Sequence, residues 1–302
     1  MTLLQLKYVV AVANCGSMNK AAKELFIAQP SLTAAIKELE QELGITIFSR
    51  TNKGVVLSAD GEEFLGYARQ VMEQTTLIEE KYFGQPSVKH QFCVSTQHYS
   101  FAVEAFVDVL KSYGGNEYDF RIRETQTYEI IEDVAKLRSE IGILYLNEYN
   151  ETILRKEFKH YDLTFHRLFL AKPHVFVSSS SPLAKQDVVK LEDLDPYPRL
   201  SYEQGSHNSF YFSEEVLSTI DRPKDIVVCD RATLFNLLIG LNGYTLCSGV
   251  ISEKLNGPNI LAIPLDVEDH MEIGYILHNK VAPGKYCQLY IDALKRNTSD
   301  QI

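Results

Sequence analysis

A chain of 302 residues has room for two or three domains and a sizeable core, and 45% hydrophobic with 23% charged residues lies in the ordinary globular range. A net charge of −10 excludes a protein that coats nucleic acid or anionic membrane with its whole surface. The charge is uneven. Residues 1–58 hold Lys7, Lys20, Lys23, Lys37, Arg50 and Lys53 against Glu24, Glu38, Glu40 and Glu42, a net of +2 that leaves −12 for the rest. A mildly basic module on an acidic body suits local contact with phosphates.

Thr2 followed by Gln5 has the spacing of a capping box, and Leu3, Leu6, Val9, Val10 and Ala13 follow at helical intervals. Gly16 ends that helix, and Ser17 caps a second one with Ala21, Ala22, Leu25 and Phe26 as its inner face. After a turn at Ile27 and Ala28, a third helix opens with Gln29-Pro30, where a proline in the first turn loses no hydrogen bond. Leu32, Ile36, Leu39 and Leu43 make its apolar stripe. Gln29, Ser31, Thr33, Ala34 and Lys37 remain on or near the outward face, and Gly44 stops it.

Residues 48–57 read as a hairpin turning at Asn52-Lys53-Gly54. Ser58 then caps a long helix with Asp60, Glu62 and Glu63 in its first turn, where the helix dipole favours them. Phe64, Ala68, Val71, Thr75, Ile78 and Tyr82 follow at 4-3-4-3-4 spacing, a seam for another helix. Two short helices, a tight turn, a basic hairpin and a long helix together predict a winged helix-turn-helix and a duplex-DNA partner. Gly84-Gln85-Pro86 marks a hinge.

Beyond it, strand-like and helix-like segments alternate, the pattern of parallel α/β sheets. Strands are expected at 92–96, 119–123, 141–146, 168–178, 200–202, 226–229, 245–248, 261–264 and 273–278. Helices are expected near 101–113, 128–139, 191–193, 209–219, 233–241 and 283–295, with 158–173 carrying the chain into a second sheet. Cys15, Cys93, Cys229, Cys247 and Cys287 show no C-x-x-C and no zinc spacing, so no disulfide framework or metal site is indicated. The N-terminal apolar stretch is broken by Gln5 and Lys7 and is a poor secretion signal, and no apolar run is long enough to span a membrane. A cytoplasmic protein with no membrane partner is expected.

The stretch AAKELFIAQPSLTAAIKELEQELGITIFSR, followed by GVVLSADGEEFL, resembles the LysR-type transcriptional regulators. The residues that carry the likeness are Ala21, Ala22, Leu25, Gln29, Ile36, Leu39, Glu40, Phe48, Arg50 and Gly61. Weaker matches downstream are SEIGIL, SPLA with LEDL after it, and GYTLCSGV. The resemblance implies a winged helix-turn-helix over 1–58, a linker dimerisation helix over 59–87 and an effector-binding domain over 88–302. That domain resembles periplasmic binding proteins: two α/β lobes, about 90–163 with 268–302 and about 164–267, are joined by crossing strands with a small ligand in the cleft. Three positions depart from the pattern. Ala28 stands where Ser or Thr is common, Ala34 and Ala35 where long polar side chains are common, and Glu140 where an acidic residue is usually Asp.

On this reading Gln29 meets a base edge, with adenine its favoured partner, although plain first-turn polarity would also explain it. Ser31, Thr33 and Lys37 meet phosphates or merely cap and solvate. Pro30 offers an apolar edge to a thymine methyl. Arg50 reaches phosphate or minor groove, or pins the wing to the linker helix. Lys53 at the wing tip meets phosphate. In the second half, Ser95, Thr96, Gln97 and His98 lie between a strand and a helix, where hydroxyls and open N–H groups suit a carboxylate, sulfate or phosphate. Tyr202 and Glu203, and Ser248 with Gly249, are the matching junctions of the second lobe. Thr125, Gln126 and Tyr145 are weaker candidates, and Cys247 reads as a buried structural thiol near the cleft.

These residues predict a DNA-binding transcriptional regulator that responds to a small anionic or amphoteric metabolite. It would self-associate as a dimer or tetramer, meet RNA polymerase and need no cofactor. The competing reading is a cytosolic solute-binding protein or enzyme with an N-terminal helical module that does not bind DNA. No G-x-S-x-G, G-x-G-x-x-G, phosphate-loop or H-E-x-x-H pattern supports catalysis.

Overall fold

The computed structural model describes residues 1–51, 54–83, 90–113 and 117–299. Two units emerge from it, the first built mainly on residues 1–91 and the second on 92–299. In the first, helix α1 (Leu3–Cys15) starts on the expected capping box. Thr2 Oγ1 accepts from Gln5 N at 3.2 Å, and Gln5 Oε1 accepts from Thr2 N at 2.9 Å. Gly16 ends α1 in the left-handed conformation, and the Ser17 side chain caps α2 (Met18–Glu24). Helix α3 (Gln29–Leu43) follows, then a hairpin of β1 (Phe48–Thr51) and β2 (Gly54–Leu57), and the long α4 (Ala59–Phe83). The expected hinge at 84–86 and the expected end of the linker helix at 87 lie outside the described residues.

The apolar stripes expected on α1 and α3 meet in one core of Val9, Val12, Leu32, Ile36, Leu39 and Ile47. Leu3, half exposed at the start of α1, and Phe26 are the exceptions. Expected on the inner face of α2, Phe26 lies beyond the helix end with φ of 55° and is 95% exposed. The helix ends a turn early because Leu25 already closes it, leaving Phe26 to make the left-handed step of the turn.

Two of the resemblance-bearing residues have plain physical jobs. Glu40 Oε1 accepts from Ile47 N at 2.7 Å and Phe48 N at 3.0 Å, tying α3 to the entry of the hairpin. Gly61 lets the first turn of α4 pass against the chain, since a Cβ there would sit 2.1 Å from Ile47 O. The Ser58 side chain accepts from Gly61 N at 2.9 Å and caps this helix as expected.

The second unit holds β3 (His90–Thr96), α5 (Ser100–Tyr113), β4 (Tyr118–Glu124), α6 (Thr127–Ala135), β5 (Ile141–Leu146) and α7 (Glu151–His160). The chain continues as β6 (Leu163–Ala171), β7 (His174–Ser178), β8 (Arg199–Tyr202), β9 (Asp225–Val228), α8 (Arg231–Leu241) and β10 (Tyr244–Cys247). A short α9 (Glu253–Asn256), β11 (Ile260–Pro264), β12 (Met271–His278) and α10 (Lys285–Asn297) complete it. They form two five-stranded sheets, ordered β4-β3-β5-β12-β6 and β11-β7-β10-β8-β9. The chain crosses between sheets twice, from β6 to β7 and from β11 to β12, so the domain has two lobes.

The structure corrects five expectations. The sheets are mixed: β3 with β5, and β8 with β9 and β10, run parallel, but β12 is antiparallel to β5 and β6, and β7 to β10 and β11. The apolar run at 168–178 is two strands in different sheets, not one. Strand β6 pairs along β12 from Met271↔Ala171 to His278↔Leu163, so the first lobe extends past residue 163. Helix α7 was not expected, because its apolar contacts rest on Ile153, Leu154 and Phe158 in an otherwise polar segment. Finally, 209–219 is not a helix. Between β8 and β9 the chain makes only short 3-10 turns at Gly205–His207 and Phe210–Phe212.

Candidate functional site

The first candidate surface is the exposed start of α3. Ala28 supplies no side-chain cap, as its residue type foretold, and Pro30 occupies the first turn. Pro30, Ser31 and Lys37 are exposed, while Gln29 and Thr33 are half-buried. Gln29 Nε2 donates to Thr33 Oγ1 at 2.7 Å, so the two share one face and hold each other in place. Ala34 is exposed and Ala35 half-buried, so the middle of this face carries no long polar side chain. The backbone of Arg50 pairs with Val55 in the hairpin; its side chain, and the whole of Lys53, lie outside the described residues. Five of the seven expected DNA-contacting residues therefore fall on one helix, four of them in its first two turns.

On α4 the expected seam divides. Ala68 is buried and Phe64 packs partly into the unit's own core. Val71, Ile78 and Tyr82 are 42%, 56% and 69% exposed. The lower half of the stripe therefore completes the domain, and Val71 and Ile78 in the upper half present apolar surface.

The second candidate site is a cavity of about 40 Å³ between the two lobes of the second unit. His98, Tyr99 and Ser100 line it from the first lobe, and Tyr202, Glu214, Glu215, Arg231 and Ser248 from the second, with apolar wall from Phe176, Leu246 and Met271. Three of the eight expected effector residues, His98, Tyr202 and Ser248, thus come together although they are far apart in the chain. The other five have different occupations. Ser95 turns away from the cavity, donating to Asp133 Oδ2 at 2.6 Å and pairing with Ser139 Oγ at 2.8 Å. Thr96 Oγ1 donates to Gln97 O at 2.7 Å. Gln97 is a buried brace: Nε2 donates to Thr127 Oγ1, and Oε1 accepts from Tyr145 N and the Tyr99 hydroxyl. Glu203 is exposed. Gly249 takes φ of +79°, and a Cβ there would meet the His174 ring at 2.5 Å, so its role is steric.

Of the weaker candidates, the Thr125 hydroxyl bonds Glu129, Gln126 packs beneath Gly205, and Tyr145 is buried. Cys247 lines the cavity with its Sγ 3.6 Å from His174 O, and burial pushes its thiol well up, which disfavours the reactive thiolate.

Sequence reading missed Glu214 and Glu215. Both are buried, 7% and 4% exposed, on the β8–β9 connection. Glu214 accepts from His98 N at 3.0 Å, from the His98 ring Nδ1 at 2.9 Å and from Gln204 Nε2 at 3.4 Å. The His98 ring lies flat on Tyr202, centroids 3.7 Å apart. Burial works against an imidazolium here, but the Glu214 carboxylate outweighs it and holds the His98 pKa above its ordinary value. Glu215 accepts from Tyr202 N at 2.9 Å. Burial first, then the charge of Glu214, push its carboxyl up to about 8, against the pull of that N–H. Arg231, the cation on the wall, stands 3.0 Å from Glu124. The only advance signal was two adjacent glutamates in an otherwise aromatic and small-residue stretch, FYFSEEVLS.

A winged helix-turn-helix with an open helix start, and a two-lobed α/β domain with a cavity at its strand ends, define a DNA-reading module in one chain with a small-molecule-binding domain. Residues 3–62 match the family described as bacterial regulatory helix-turn-helix protein, lysR family, and residues 93–299 match the LysR substrate binding domain. The chain belongs to the LysR family of transcriptional regulators. It is similar to the HTH-type transcriptional regulator ClcR of Pseudomonas putida, 44% identical over 77 residues that make up 26% of each protein. The HTH-type transcriptional regulator AlsR of Bacillus subtilis is 28% identical over 247 residues, 80% of this chain and 77% of that one. The chain spans only between 25% and 32% of the length of ClcR, TfdT and TcbR, the regulators it matches over the DNA-binding end. Full-length OxyR from Pseudomonas aeruginosa has the same fold, with a TM-score of 0.67 at 19% identity over 98% of this chain and 95% of that one. Among the described residues, no helix is long and apolar enough to cross a membrane.

Proposed function

We propose that this protein binds duplex DNA as a dimer through the start of α3 and the hairpin, and that a small metabolite held between the lobes of its second unit alters that binding. The observation that carries the first part is α3, whose uncapped start holds Gln29, Pro30, Ser31 and Thr33, with Lys37 one turn further along. A helix N-terminus of this kind takes phosphates on its amides and puts its first side chains on base edges. The exposed Val71, Ile78 and Tyr82 stripe supports pairing through α4, since an apolar row at seam spacing is covered best by its own copy. A two-fold pair of recognition helices reads half-sites about one helical turn apart.

The second part rests on the cavity. At about 40 Å³ it is far smaller than a metabolite site, so effector entry requires the lobes or the β8–β9 connection to give. A ligand that binds the opened arrangement better shifts the population toward it. The reading places the protein in the cytoplasm, with RNA polymerase as its downstream partner and no cofactor. Fluorescence anisotropy on the DNA upstream of the chain's own reading frame tests it. Salt-dependent binding stronger than to shuffled DNA is the expected result, and equal binding to both would sink the DNA-reading role.

A further inference from the structure

The β8–β9 connection is a strap. It leaves the second lobe at Tyr202 and reaches across to the first. Phe212 sits in the first lobe's apolar cluster with Ile130, Leu146 and Phe158. His207 stacks on Tyr128 at 3.6 Å, and Tyr211 on Tyr149 at 4.8 Å. Gln204 Oε1 accepts from Thr127 N, the first amide of α6, at 3.1 Å. With the strap so anchored, Glu214 arrives at the β3–α5 junction, where two donors of His98 converge on it. That junction is where an anion from solution would sit: a strand end, an open N–H and the entry of a 14-residue helix. The anion present is the chain's own, buried and hydrogen-bonded on three sides.

We propose that Glu214 is an internal stand-in for an anionic ligand, closing the anion position of the first lobe so that the site turns away carboxylate- and sulfate-type effectors. This rests on the reading of the cavity as the effector site. Two consequences follow from charge alone. A free carboxylate at His98 would have to displace Glu214 or lie against its carboxylate, and two like charges in that buried place repel. Removing the Glu214 carboxylate leaves the His98 N–H and ring donor unpaired in a buried place, and an outside anion of similar shape satisfies them.

The test is chemical rescue on the full-length chain, without DNA or effector. Acetate and sulfate are titrated by calorimetry, with chloride at matched ionic strength as reference. Wild type is expected to show no binding above chloride. Glu214→Ala is expected to bind acetate about tenfold or more tightly than wild type. Adding His98→Phe, which keeps the stack on Tyr202 and deletes the ring donor, should lower the gained affinity. Should Glu214→Ala fail to fold, Glu214→Ser also vacates the carboxylate position, and its melting temperature should rise more with sulfate than wild type does. Equal anion binding by wild type and Glu214→Ala overturns the proposal. So does a folded Glu214→Ala that gains none, or a Glu214→Ser whose response to sulfate equals that of wild type. These readouts are independent of DNA binding, so their failure leaves the regulator reading standing, and loss of DNA recognition leaves this one standing.

Discussion

The start of α3 and the interlobe cavity are built on opposite plans. The proposed DNA-contacting surface gathers Gln29, Pro30, Ser31, Thr33 and Lys37 from nine consecutive positions, and one helix is enough to place them. The cavity draws His98 and Glu214 together across 116 residues, on the end of a strand and on an irregular strap. A surface written in one helix can be read as a pattern. A site assembled by tertiary folding depends on which way each side chain turns, and that is decided by packing partners far away in the chain.

Breaking the platform beneath the local surface should have the largest effect. Gly61→Ala puts a Cβ against the backbone at Ile47 O, which cannot yield, and should destabilise the first unit by about 3 kcal/mol. Calorimetry would show it, and an unchanged melting profile would discredit the close approach. Next, Val71→Asp combined with Ile78→Asp places charges in the exposed apolar row of α4. Sedimentation should report monomers, and DNA affinity should fall by about a hundredfold as the two half-sites lose their linkage. A dimer persisting in this variant would move the pairing surface elsewhere.

Gln29→Ala separates reading from mere adhesion. It should weaken binding by about 1–3 kcal/mol at the natural site with little change on random DNA. Equal losses on both would return Gln29 to the role of a polar first-turn residue braced on Thr33.

The cavity has its own signature in pH. Between the ordinary carboxyl value of 4.5 and about 8, folded Glu215 holds a proton that the unfolded chain has released. The folded state therefore loses stability as pH rises through that window, by at most about 1.4 kcal/mol per pH unit. His98 acts in the same direction. Its pKa is raised by Glu214, so its contribution is complete below the ordinary histidine value of 6.5 and fades as pH climbs through the raised one. Other charges facing the pair are Glu124, Arg231 and Arg199. Glu215→Gln should flatten the melting temperature between about pH 5 and 8, where the folded and unfolded chains otherwise differ in bound protons. A slope unchanged in that variant would assign the protonation to other groups. The smallest effect is expected at Phe26, whose exposed ring has few contacts to lose: Phe26→Ala should alter stability by less than about 0.5 kcal/mol.

The winged helix-turn-helix was legible because its cues are local: Thr2 with Gln5, Gly16, Ser17, Pro30 and Ser58 all act within four residues of their own position. The misplacement of Phe26 came from extending a helical stripe past the residue that closes the helix. In the second unit the strand positions were legible, but their directions were not. Apolar content marks a strand as buried without saying that β12 returns antiparallel between β5 and β6. The same blindness hid the turn of Ser95 toward Asp133 and the arrival of Glu214 at His98. Helical spacing in 209–219 was overruled because Phe212 finds a deeper apolar contact across the cleft than a helix would offer it.

The bond between Glu40 and the amides of Ile47 and Phe48 has a consequence for the partner. One carboxylate fastens α3 to the base of the hairpin, so on the proposed reading the two would approach the double helix as a single stiff part. A groove that is too wide or too straight for that part cannot be met by flexing inside it, and the nucleic acid must supply the deformation. Base steps that no side chain touches then enter the binding free energy through their own elasticity, and pyrimidine–purine steps beside the half-sites, the most easily kinked, should be favoured over stiff adenine runs.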